Sequence, residues 1–107
     1  MKKIIKVLIL GTEYKIQTAE QEFLRKLCES DGFVFGLCDY EHKLIYLDNK
    51  ISKGEYIKTL RHELVHAFFF ESGLDLQSDY ARQEELVDWI ALQLPKMIKV
   101  CEKLKAL

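Results

Sequence analysis

Residues 60–70 read LRHELVHAFFF: two histidines four apart in an apolar run, with a glutamate directly after the first. No other stretch so narrows what the chain can fold into. Ile57, Leu60, Leu64 and Phe68 recur at helical spacing, so the segment reads as a helix. Ser52 and Glu55 form a capping-box pattern at its start, and Gly73 suits the position just past its end. These signals predict a helix from Lys53 to about Ser72. Phe68, Phe69 and Phe70 make its last turns apolar all round, which predicts a buried end. On a helix, positions i and i+4 share a face. His62 and His66 therefore aim two imidazoles at one point, while Glu63 sits about 100° round the helix.

Two imidazoles converging on one point suit a zinc ion, which takes near-tetrahedral nitrogen, oxygen or sulfur ligands. A glutamate beside them can reach a water held at the metal without ligating it. That is the arrangement of the H-E-x-x-H metallohydrolase motif. The bland alternative is a pair of histidines satisfied by hydrogen bonds on a half-buried helix. Against it, two of the three histidines fall in this motif, and an unpaired polar group in so apolar a setting would be costly. A third ligand is also at hand. No histidine follows His66, so a carboxylate must serve, and EELVD places Glu84 and Asp88 at i, i+4 on one face. Glu84 can ligate while Asp88 accepts the N–H of a liganding histidine and so fixes its tautomer. Glu85 is the competing ligand, but Trp89 stands where it would need its own carboxylate partner. For both glutamates the plain alternative is an acidic pair on a solvated face.

The rest of the chain frames this site. A strand is predicted over about Lys3–Leu10, with a short return over Tyr14–Gln17. Thr18 and Gln21 form a second capping-box pattern, opening a helix with Phe23, Leu24 and Leu27 on one face. Val34–Cys38 and Lys43–Leu47 read as a hairpin joined by a polar turn. After the central helix comes a loop, LDLQ. Ser78 is placed to cap a last helix beginning at Asp79. Leu86, Trp89, Ile90 and Leu94 give that helix an apolar face. Pro95 either kinks it or starts another, and an amphipathic segment of about residues 95–106 follows. The 107 residues suit one domain of α+β class, a small mainly antiparallel sheet packed against helices.

With 16 basic and 17 acidic residues interspersed, nothing marks a nucleic-acid surface. The opening MKKIIKVLIL is interrupted by Lys6 and lacks a small-residue cleavage site, so it reads as a strand rather than a signal peptide. No segment is long enough to span a bilayer. A cytoplasmic protein is the expectation. Cys28, Cys38 and Cys101 have no metal-site or redox spacing and read as reduced core residues. His42, in the hairpin turn, needs no functional explanation.

TLRHELVHAFFFESGL and EELVDWIALQLP together resemble the gluzincin metallopeptidases, whose pattern is H-E-x-x-H followed by E-x-x-x-D. More narrowly, residues 34–95 resemble the small ImmA/IrrE-type metallopeptidase domains of phages and mobile elements, with KLIYLD similar to the strand those domains carry before the helix. Val87 and Ile90 replace the family's usual Ala and Phe, while Glu84 and Asp88 stay in register. The resemblance implies a zincin-like fold and a single-zinc protease acting on a protein or peptide, in some relatives a repressor.

In the expected mechanism His62, His66 and Glu84 hold Zn²⁺, Asp88 backs a histidine, and Glu63 is the general base. Peptide would add as a strand along Leu44–Leu47. Tyr80, Arg82 and Tyr46 are the candidate donors to the oxyanion. Two rival readings stand beside it: a non-catalytic zinc- or partner-binding module, and a latent enzyme whose cleft is closed by its own tail.

Overall fold

A computed structural model describes residues 3–107. The strands are β1 (Ile5–Ile9), β2 (Thr12–Ala19), β3 (Gly36–Asp39) and β4 (Leu44–Asp48). The helices are α1 (Gln21–Cys28), α2 (Lys53–Glu71), the single turn α3 (Leu74–Gln77) and α4 (Glu84–Lys103), with a 3-10 turn at Asp79–Arg82 between the last two. Among the described residues, no helix is long and apolar enough to cross a membrane.

β1 and β2 form a hairpin across Leu10 and Gly11, both at positive φ (49° and 87°). That is the backbone a two-residue turn needs to match strand twist. The sheet order is β1-β2-β4-β3, and it is mixed. β1–β2 and β3–β4 are antiparallel, but the central pair, β2–β4, is parallel, with Ile16 opposite Ile45. The expected mainly antiparallel sheet therefore holds only for the outer pairs. A parallel pair needs a crossover, which α1 and β3 supply.

Alternation along the strands divides two cores. Tyr14, Ile16, Ile45 and Leu47 face α2 and pack with Ala67, Leu60 and Leu64. Tyr46 and Leu44 point the other way, under Leu24 of α1. Ser52 caps α2 by accepting from Glu55 N–H at 3.2 Å. Gly73 (φ 79°) follows its last turn in the left-handed region, as its placement in the sequence predicts.

Several local expectations are overturned. Thr18 lies inside β2 and caps nothing; α1 starts at Gln21 after Glu20, with no side-chain cap. Gln21 instead clamps the chain before β3, accepting from Val34 N–H (2.6 Å) and donating to Val34 O (2.9 Å) and Asp48 Oδ2 (2.7 Å). Of its predicted apolar face only Leu24 is buried; Phe23 and Leu27 are exposed. Phe68 is exposed too, so the end of α2 is not apolar-packed all round. LDLQ is helical, not a loop, and Ser78 makes no cap hydrogen bond. The last helix begins at Glu84 after Gln83 and carries Pro95 inside it, so of the two alternatives at Pro95 the start of a new helix is excluded and residues 95–103 continue α4. The cysteines are free, but Cys28 is exposed and Cys38 and Cys101 only partly buried.

Candidate metal centre

α2 and α4 pack side by side through Val65, Val87 and Ala91, with Phe69 and Ile90 against them. This seam holds the first turn of α4 against the middle of α2, where His62 and His66 lie. One oxygen of Glu84 is 2.9 Å from His62 Nε2, and the other is 2.7 Å from His66 Nε2. The three residues offer ligand atoms all within 4.8 Å of one another, a group that could hold a metal ion. Asp88, one turn on, stands 3.3 Å from His62 Nδ1. Glu85 is exposed and outside the group.

The proton inventory of this cluster calls for positive charge at His62, either a second ring proton or a metal ion. His62 faces a carboxylate with each ring nitrogen, Asp88 at Nδ1 and Glu84 at Nε2. A neutral imidazole has one N–H. If Nδ1–H donates to Asp88, the Nε2 lone pair is left facing Glu84, acceptor against acceptor. A positive charge at Nε2 removes that conflict. His66 is pushed toward the neutral, ligating form: burial lowers its pKa below the ordinary value, against the opposing pull of Glu84. Two imidazoles and one carboxylate make an N/O donor set suited to zinc and to other borderline divalent ions.

Glu63 is only 7% exposed. Burial pushes its carboxyl up to about 7, with His62 lowering it and Glu84 raising it. It lines a groove of about 400 Å³ whose walls are Phe33–Gly36 on one side and Thr59, His62, Glu63, Glu84 and Asp88 on the other. Gly36 permits this closeness. A Cβ there would come within 2.8 Å of Thr59 Cγ2 and of the Tyr46 carbonyl oxygen. Among the described residues none beyond Asp88 lines the groove, so the tail does not close it.

Beside the groove the sheet ends in β3, not in β4. The expected strand-addition site at Leu44–Leu47 is therefore corrected: those residues are paired on both sides, to β2 and to β3. β3 offers the edge. Asp48 N–H donates to Phe35 O at 2.8 Å. Hydrogen-bonded and non-bonded pairs alternate along an antiparallel ladder. Gly36 and Cys38 therefore turn their backbone groups outward.

The candidate oxyanion donors fare unequally. Tyr46 is buried on the α1 face of the sheet, its ring 5.2 Å from that of Phe23, with the sheet between it and the histidines. Tyr80 is half exposed on the 3-10 turn and lines neither space around the ligand set. Arg82 does reach the His66 side, but its Nε is given to Asp75 O at 2.7 Å. Sequence reasoning passed over Tyr40, which lines that same space with His66, Asp75 and Glu84. Its alternation with Gly36 and Cys38 was the available signal.

Comparison of the chain with protein-family models, curated proteins and solved structures finds no match.

Proposed function

We propose that the chain is a zinc-dependent metallopeptidase of gluzincin type, akin to the ImmA/IrrE-like domains its motifs resemble. The observation that carries this reading is the meeting of Glu84 with both His62 and His66, with Asp88 behind His62 and Glu63 beside them. His62, His66 and Glu84 would hold the ion. Bound there, zinc would acidify a water and polarise a scissile carbonyl.

The chain's own residues do the rest. Asp88 holds His62 in the tautomer that leaves Nε2 free to ligate. Glu63, buried and poised near neutrality, takes the proton of the attacking water and passes it to the departing amine. The outward N–H and C=O groups of Gly36 and Cys38 hold an extended peptide beside β3. Phe33 and Phe35, exposed and in edge-to-face contact with centroids 4.8 Å apart, give the groove an apolar wall.

Metal analysis of the purified chain beside Glu84→Ala tests the reading. About one zinc per chain, lost or weakened in the variant, supports it. No metal after zinc is supplied would end it.

A second reading has one observation behind it. The later half of α4 and the residue just past it expose Met97, Val100 and Leu104, an apolar surface suited to a partner. A zinc-loaded chain that binds one protein and cleaves nothing on long incubation would favour that non-catalytic role.

A further inference from the structure

Hydrolysis of an amide drives negative charge onto the carbonyl oxygen, and a donor must meet it there. The general base and that donor work from different sides of the reacting carbonyl, because one receives a proton from the nucleophile and the other faces the oxygen. In this chain the two spaces flanking the ligand set divide in the same way. Glu63 lines the groove on the His62 side. On the His66 side a smaller space of about 260 Å³ is lined by Tyr40, Asp75 and Arg82 together with His66 and Glu84. A peptide laid along the free edge of β3 passes from Gly36 toward Tyr40, and so from the first space to the second.

Tyr40 is held there. It directly follows β3, and Gly36 and Cys38 before it both turn toward α2. Its ring stacks on Phe70 of α2, with centroids 4.5 Å apart and planes 11° from parallel. The ring is thus fixed by packing, and the hydroxyl is its only polar atom.

Resting on the peptidase reading, we infer that Tyr40 is a catalytic residue whose hydroxyl donates a hydrogen bond to the scissile carbonyl oxygen as charge develops on it. The water oxygen bonds to the carbonyl carbon and the carbonyl π pair moves onto oxygen. Tyr40 keeps its proton throughout, while Glu63 carries the water's proton to nitrogen as the C–N bond breaks. Burial, then the charges of Cys38, Glu63, Asp75 and Glu84, raise the Tyr40 pKa, which favours the protonated phenol that a donor needs.

Tyr40→Phe is a clean test, since it retains the stack on Phe70 and removes one oxygen. Zinc-loaded wild type and variant are titrated with a peptidyl phosphonamidate, whose tetrahedral anionic oxygen mimics the charged carbonyl, and with a small thiol, which needs no oxygen donor. The expected result is a 10- to 100-fold weaker phosphonamidate, unchanged thiol affinity and unchanged zinc content. In cleavage of a fluorogenic peptide library, kcat falls by a similar factor with KM within about twofold. Equal phosphonamidate affinity in the two proteins overturns the role of Tyr40 alone. Failure of both probes to bind zinc-loaded wild type overturns the peptidase reading and the proposal with it.

Discussion

Arg61 Nε donates to the backbone carbonyl oxygen of Ala91 at 2.8 Å, tying the middle of α2 to α4. That carbonyl is free because the residue four places on is Pro95, which has no N–H to close the helical ladder. A proline in a helix interior ordinarily carries a penalty. Here the orphaned acceptor is used between helices, within two turns of Glu84 and Asp88, so the bond helps set where α4 lies against the histidines. In Arg61→Met the carbonyl loses its partner, and stability should fall by about 1–3 kcal/mol. In a Pro95→Ala background the restored ladder bond should shrink that loss. A double-mutant cycle by urea unfolding reads the coupling, and additivity would show the two features to be independent.

Gly36→Ala should be destabilising by about 1–3 kcal/mol. The new methyl meets Thr59 Cγ2 and a backbone oxygen at 2.8 Å, and the backbone cannot yield cheaply. Because the clash pushes β3 off α2, the groove beside His62 should distort as well. Thermal unfolding and zinc affinity, measured together, separate the two effects; an unchanged Tm would show that β3 has room to move.

Glu71 gathers three donors: Lys43 Nζ at 2.8 Å, Tyr14 OH at 2.7 Å and Thr12 Oγ1 at 3.0 Å. Lys43 first, then Tyr14, hold its carboxyl below the usual range. A folded-state pKa below the unfolded value contributes stability above the unfolded pKa, lost as pH falls through the folded one. The window therefore lies from about pH 4.3 downward. Glu71→Gln should lower Tm at pH 7 and lessen the wild type's loss of stability on acidification below that window. Parallel Tm–pH curves for the two proteins would mean that the cluster contributes nothing through its charge.

Glu63→Gln keeps the size of the side chain and removes the carboxylate proposed as the base. Zinc content should stay at one per chain while peptide cleavage falls by about 10²–10⁴-fold. Metal analysis and a cleavage assay on the same preparation check both halves. Surviving hydrolysis would exclude Glu63 as the base.

Phe33 and Phe35 should steer which peptides are taken. Wild type is expected to prefer sequences with a bulky apolar side chain near the cut. Phe33→Ser with Phe35→Ser should flatten that preference while zinc content holds. Cleavage profiles over a mixed peptide library decide it, and an identical profile would remove the aromatic pair from the groove's recognition surface.

The sequence alone determined the parts of this protein that depend on neighbours three or four residues away. Helical spacing sets His62 and His66 on one face of α2, and Glu84 and Asp88 on one face of α4, wherever those helices happen to lie. Ser52 and Gly73 bound α2 through equally local chemistry. Tertiary structure decided the rest. Whether Leu44–Leu47 is an edge depends on β2 pairing with it across α1 and β3, a contact that no local pattern encodes. Which side of the sheet Tyr46 faces, and that Tyr40 faces the opposite one, follows from which face α2 covers. Pro95 reads in isolation as a kink or a new start, yet α4 continues through it, and Arg61 takes up the carbonyl that the missing N–H leaves free. Helix geometry is written in short-range spacing, whereas sheet order and the partners of buried polar atoms are settled only when distant segments close on one another.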